Sequence, residues 1–206
     1  MKIPARPLTI GAIPAIVWGA PSDKLYLFAH GKMSSKESAA PFAQIAAERG
    51  WQTLSFDLPD HGERAGSDER CDLFSGIRDL KAVGGYAFDR WKAFGLYGCS
   101  LGAFFSLHAY ADRQFENCLF QSPIVDMEAL IHQMFSWFGV TEKRLERERE
   151  IPTPIDTLSW DSYRYVHDHP ILAWSSPTHI LYAARDALQS RETIERFCQD
   201  HGCALT

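Results

Sequence analysis

The chain has little of what marks a nucleic-acid or membrane protein. Its 21 Lys and Arg are outnumbered by 26 Asp and Glu, a formal net charge of −5. No basic patch is visible to meet phosphate or anionic lipid. No apolar run approaches the roughly 18 residues that a membrane span needs, and the first seven residues, Met1-Lys2-Ile3-Pro4-Ala5-Arg6-Pro7, lack the apolar core of a signal peptide. A soluble, cytoplasmic protein is expected, with neither nucleic acid nor a membrane span among its partners. The five cysteines, at 71, 99, 118, 198 and 203, are odd in number and include no Cys-x-x-Cys pair. Neither a disulfide framework nor a zinc site is suggested by them, and reduced, mostly buried thiols are predicted. With no metal constellation and no phosphate-cradling loop, no cofactor and no metal is expected.

What is present is apolar mass: 46% hydrophobic and 13% aromatic residues over 206 positions, enough for the core of one globular domain but not of two. Leu8 to Trp18, interrupted by Gly11 and Pro14, suits an edge strand or hairpin. Lys24 to Ala29 is a short continuous apolar run, the pattern of a strand buried on both faces, and it ends in His30-Gly31-Lys32. A helix is predicted next, with Ser38 as cap, Pro41 in its first turn, Phe42, Ile45 and Ala46 facing inward, and Gly50 closing it. Trp51 to Phe56 reads as a strand, followed by the turn-rich Asp57-Leu58-Pro59-Asp60-His61-Gly62-Glu63-Arg64. Apolar residues at 73, 77, 80, 84, 87, 88 and 91 predict a long helix, kinked or broken at Gly84-Gly85.

The central stretch is Leu96-Tyr97-Gly98-Cys99-Ser100-Leu101-Gly102-Ala103-Phe104-Phe105. An apolar strand pattern passes through Gly-x-Ser-x-Gly into helical spacing, the context of a nucleophile elbow. The turn holds its central residue in strained backbone, so the positions two before and two after must be small where strand and helix crowd together. Gly98 and Gly102 meet that need. At the head of a helix, Ser100 leaves the Leu101 N–H unpaired and facing any carbonyl under attack.

Further strands are predicted at Cys118 to Phe120, His179 to Ala183 and from Cys203, with Ser190 capping a helix that carries Ile194, Phe197 and Cys198. Alternating strands and helices imply a doubly wound, mostly parallel α/β sheet. His30, Asp57, Ser100, Ser122 and Asp186 all fall just past strand ends and are expected to share one edge of it. Residues 126 to 172 interrupt the rhythm. A Met- and Phe-rich helical stripe, a charged run from Glu142 to Glu150, Pro152, Pro154 and an aromatic stretch from Trp160 predict a helical cap over that edge.

Taken together these motifs resemble the α/β-hydrolase superfamily over the whole chain, most closely small bacterial esterases and lysophospholipase-like hydrolases. Ala29-His30-Gly31-Lys32 is similar to the superfamily's His-Gly oxyanion loop. Phe56 to Gly62 is similar to its Asp-x-Pro-Gly-His-Gly loop, with Asp60 in place of the usual Gly. The resemblance implies one α/β-hydrolase domain over 1–206 with the cap at 126–172, and a serine hydrolase cleaving an ester or thioester of a small or acyl substrate. Ser100 would be the nucleophile, Asp186 the acid with Asp126 as alternative, and Lys32 and Leu101 the oxyanion donors, with Met33 the alternative to Lys32. His30, Gly31, Gly98 and Gly102 would shape the site. The superfamily's general base follows the final strand, where this sequence stops. A chain continuing past Thr206 is therefore expected to supply the catalytic histidine. The alternative is a non-catalytic protein of the same fold that binds a small molecule, and an acyl-transferase on the same triad reads identically. Lys32 and Arg64, near the site edge, suggest an anionic acyl substrate.

Overall fold

The computed structural model describes residues 3–206. Strands β1 (Ala5–Ile10) and β2 (Ile13–Trp18) form the expected antiparallel hairpin, turning at Gly11 with φ +59°. They are followed by β3 (Lys24–Ala29), helix α1 (Ala40–Ala47), β4 (Gln52–Phe56), α2 (Leu73–Phe88), β5 (Ala93–Cys99) and α3 (Leu101–Ala109). Then come β6 (Asn117–Gln121), α4 (Met127–Phe138), α5 (Glu142–Glu148), a small hairpin β7 (Glu150–Pro152) with β8 (Thr157–Ser159), α6 (Trp160–Asp168), β9 (Thr178–Leu181), α7 (Arg191–His201) and β10 (Ala204–Leu205).

Eight strands make one sheet in the order β1-β2-β4-β3-β5-β6-β9-β10, parallel from β4 through β10. After β3 the chain crosses outward to β4, and after β4 it returns to the other side of β3 as β5. The direction of winding therefore reverses between β3 and β5, and a crevice opens past their carboxyl ends. His30-Gly31-Lys32 leaves β3 at that point and Ser100 leaves β5, with Ala29 paired to Gly98. The expected shared edge is what the topology builds.

The larger core lies on the face covered by α2, α3 and α7, where Leu80, Leu96, Phe104, Phe105, Tyr110, Phe120 and Ile194 are buried. A smaller aromatic cluster forms under α1, with the Phe28 and Tyr97 rings stacked at 4.3 Å and Phe42 4.9 Å from Tyr97.

Three local expectations are corrected. A 3-10 turn at Lys36–Ala39 precedes α1, so Ala39 occupies the cap position and the Ser38 hydroxyl donates to Ser35 O. Ile45 is exposed, and Ala39, Ala43 and Ala46 form the inward face instead. Small residues there let α1 approach the sheet closely. Finally α2 runs unbroken through Gly84-Gly85. A Cβ on Gly84 would lie 2.6 Å from the Tyr110 ring, so this glycine serves helix packing and not a kink.

Residues 126–172 comprise α4, α5, the β7–β8 hairpin and α6. Tyr165 of α6 packs edge-on to Phe74 of α2 and near His108 of α3, and Arg70 bridges to Glu150 at 2.8 Å. No described helix is long and apolar enough to cross a membrane.

Candidate active site

Ser100 sits at φ 47°, ψ −115°, between β5 and α3, a conformation that costs a side chain other than glycine and is imposed by its surroundings. Its N–H donates to Gln121 O at 3.0 Å and its carbonyl accepts from Ala103, Phe104 and Ile124, so the strained turn is held from three directions. Gly98 and Gly102 allow this packing. A Cβ at 98 would lie 2.7 Å from Ala103 Cα, and one at 102 would lie 2.4 Å from His30 O. The loop after β3 presses on the serine as well, because a Cβ at Gly31 would be 3.3 Å from Ser100 Cβ.

Among the described residues, neither the Lys32 N–H nor the Leu101 N–H donates to a protein acceptor. Met33 differs: its N–H donates to His61 Nε2 at 3.1 Å. Of the two alternatives the sequence left open, only Lys32 retains a free amide.

The histidines of this edge are committed to backbone groups. His30 Nδ1 bonds Gly31 O at 2.7 Å while its Nε2 accepts from Leu58 N–H at 3.1 Å. Burial, with the His61 ring adding to it, pushes the His30 pKa down to about 4, although the Gly31 bond and the nearby Asp57 and Glu37 act in the opposite direction. His61 Nδ1 bonds Pro59 O at 2.7 Å. The other six are engaged elsewhere: His108 against the Phe104 ring, His132 and His167 near Glu128, His169 on Tyr165 O, His179 on Thr206 Oγ1 and His201 against Phe197.

The loop after β4 is organised by a buried ion pair that the sequence did not announce. Asp57, fully buried, accepts from Lys36 N at 2.8 Å, Lys36 Nζ at 2.7 Å and Glu63 N at 3.0 Å. Lys36 is itself 3% exposed, with Glu37 and Glu63 also on its ammonium. Burial works to lower the Lys36 pKa, but its three carboxylate partners prevail and raise it. Gly62, at φ +55°, leaves room for Asp57, since a Cβ there would fall 2.2 Å from the carboxylate. Asp60 holds the left-handed φ of 57° with its own side chain, which accepts from Gly66 N–H.

Both acid candidates lie past neighbouring strand ends. Asp126 caps α4 by accepting from Ala129 N, and its other oxygen receives Arg196 at 3.4 Å. Asp186 uses only Oδ1, accepting from Leu188 N and Gln189 N. The buried Gln189 side chain joins the two loops, accepting from the amides of Val125 and Asp126 and donating to Asp126 O. A polar residue in a loop gave no signal of this role in the sequence.

The two site cations do not stand free. Lys32 Nζ bonds Ile155 O at 2.8 Å and Asp156 at 2.7 Å, in the turn between β7 and β8. Arg64 is held by Asp79, Glu69 and Asp57 O. The suggested preference for an anionic substrate loses its basis, because both charges are already balanced. Beside the nucleophile, burial raises the Cys99 pKa, against a hydrogen bond from the Gly31 backbone that lowers it. Among the described residues no cluster suited to a metal ion is found.

No protein-family model matches this chain, and no curated protein matches its sequence at a significant level. Solved structures do match it. The α/β hydrolase domain-containing protein 10 from mouse is 16% identical, with a TM-score of 0.73 over 98% of this chain and 88% of that one. Est1E from Butyrivibrio proteoclasticus with ferulic acid bound is 18% identical, with a TM-score of 0.73 over 98% and 88%. An esterase from Pyrococcus furiosus is 17% identical, with a TM-score of 0.69 over 100% and 81%. With the strand order and the winding reversal between β3 and β5, these likenesses establish that the chain has the α/β-hydrolase fold.

Proposed function

We propose that the protein is a serine hydrolase that cleaves an ester or thioester of a small or acyl substrate through an acyl-enzyme on Ser100. The observation that carries this reading is the strained Ser100 at the head of α3, packed against Gly31 and flanked by the unbonded amides of Leu101 and Lys32. In the first step Ser100 Oγ forms a bond to the substrate's carbonyl carbon, the carbonyl oxygen gains negative charge, and the two amides stabilise it. The carbon–oxygen or carbon–sulfur bond to the leaving group then breaks, and the alcohol or thiol leaves with a proton. Water hydrolyses the acyl-enzyme by the same route. Residues 126–172 form the cap in this reading, and their contact with the site is the Lys32 ammonium on the β7–β8 turn.

Deprotonation of Ser100 calls for a base. Asp186 is the acid that would orient an imidazole, since its Oδ2 is free of protein hydrogen bonds while Asp126 has both oxygens engaged. None of the eight histidines in residues 1–206 bonds Ser100, and a second reading is a non-catalytic protein that binds a small molecule on the same fold. Intact-mass labelling with a fluorophosphonate, with and without added imidazole as an external base, separates the two. The hydrolase reading expects one adduct at Ser100, faster with imidazole and absent from Ser100→Ala. A folded protein of full natural length that takes no label under either condition is the binding protein.

A further inference from the structure

We infer that His30 and His61 act as a positioning pair that fixes the direction of the Lys32 amide. The inference rests on the serine-hydrolase reading, in which that amide faces the developing oxyanion. Its physical basis is the peptide plane. The Lys32 N–H belongs to the peptide unit whose carbonyl is Gly31 O, and in a trans unit the two groups point in opposite directions. All described peptides are trans. Whatever holds Gly31 O therefore aims the Lys32 N–H, and His30 Nδ1 holds Gly31 O at 2.7 Å. The next unit pairs Lys32 C=O with Met33 N–H, and that N–H is held by His61 Nε2 at 3.1 Å. Both peptide units flanking the Lys32 Cα are thus tied to an imidazole.

Each ring is fixed in turn by a second bond into the loop after β4. His30 Nε2 accepts from Leu58 N–H at 3.1 Å, and His61 Nδ1 donates to Pro59 O at 2.7 Å. One nitrogen of each ring must donate and the other accept, so both are neutral with the proton on Nδ1. The rings lie 5.3 Å apart and are buried, 1% and 8% exposed. The loop they hold is not one the backbone would choose alone. Met33 sits at φ 61° with its side chain 94% exposed, so no packing of its own keeps it there. Released, the unit between Gly31 and Lys32 is free to turn its carbonyl into the position of the amide and present an acceptor to the oxyanion. These are positioning residues, acting through the Lys32 amide and not on the substrate.

The test compares wild type with His30→Leu, His61→Leu and His61→Gln. Measurements are ester turnover, Ser100 labelling, thermal melting and nitrogen-15 spectra of the rings near pH 7. Loss of an oxyanion donor lowers rate about 100- to 1,000-fold. The leucine variants are expected to lose roughly that much in kcat with KM changed less than about 3-fold, since the interaction exists only in the transition state. His61→Gln, which can still accept from Met33 N–H, is expected to recover about 10-fold of the loss. Folded leucine variants with wild-type kcat would overturn the inference while leaving the hydrolase reading intact. If wild type shows no Ser100-dependent chemistry, the hydrolase reading fails and the oxyanion role of the pair fails with it. A ring spectrum with the proton on Nε2 of either histidine overturns the pair whatever the activity, and should a leucine variant not fold, His61→Gln and the spectra decide alone.

Discussion

Two glycine-to-alanine substitutions make the same chemical change and are expected to have opposite effects on stability. Gly85 lies on the exposed side of α2, where an added Cβ meets nothing within 4 Å. Alanine there gains about 0.5–1 kcal/mol, because glycine loses more backbone freedom in a helix. Gly102, in the first turn of α3, would place its Cβ 2.4 Å from His30 O and 2.5 Å from Ala29 O. These are backbone atoms at the end of the central strand β3, so no side chain can turn away. An ordinary contact is about 3.5 Å, and roughly 1 Å of backbone displacement is needed. Overpacking of this kind costs about 1–3 kcal/mol, and with both partners fixed in the sheet the upper end applies. After the helix-propensity gain, Gly102→Ala is expected to lose about 2 kcal/mol, or ~4–8 °C in Tm for a chain of this size. The displacement also moves His30 and Gly31, so Ser100 chemistry should slow by more than the fraction unfolded explains. Urea denaturation followed by tryptophan fluorescence measures both variants. Refutation would be a Gly102→Ala protein as stable as wild type, or a Gly85→Ala protein that is the less stable of the two.

Acid should destabilise the protein before its carboxylates titrate. His30 titrates at about 4 when folded and 6.5 when unfolded, so the unfolded chain binds the extra proton and stability falls as pH drops through this window. The loss from this residue between about pH 7 and pH 5 is about 2 kcal/mol. His167, raised by its bond to Glu128, opposes the trend but sits in solvent. Nuclear magnetic resonance of the ring proton checks the assignment, and a His30 midpoint near 6.5 would exclude it. Lys36→Met leaves Asp57 buried beside two amides and no cation, at a cost of about 3–5 kcal/mol. A loss under about 1 kcal/mol in urea melts would show that the pair does not organise the loop.

The elbow was legible because its constraint is local: strand, tight turn and helix lie within ten residues, and only glycine fits where Ala103 and His30 O approach. The strand Lys24–Ala29 was legible to the residue, since a parallel strand buried on both faces reads as an unbroken apolar run. Ile45 misled because helical spacing does not fix how wide the buried stripe is: Ala43 and Ala46 are buried and Phe42 meets Tyr97, while Ile45 falls on the solvent side. Lys36 and Gln189 stayed hidden for another reason. Their partners, Asp57 and the amides of Val125 and Asp126, lie 21 and more than 60 residues away, so nothing near either one signals its burial. Lys32 was only half legible: spacing from the His-Gly pair pointed to its amide, but its side chain turns the other way, to Asp156.

A buried ion pair is a poor device for stability alone, because well-packed apolar residues often do as well in its place. Asp57 and Lys36 do something that apolar residues could not. The Asp57 carboxylate accepts one amide from the segment after β3, at Lys36, and one from its own loop, at Glu63, so it fixes the spacing between the two. The imidazoles of His30 and His61 span the same two segments in the other direction, from Gly31 and Met33 to Leu58 and Pro59. Four buried polar side chains thus determine one short stretch of backbone, residues 30 to 36, beside Ser100. The desolvation they cost is the expense of holding an otherwise unsupported loop, and the Lys32 amide inside that stretch donates to no protein acceptor.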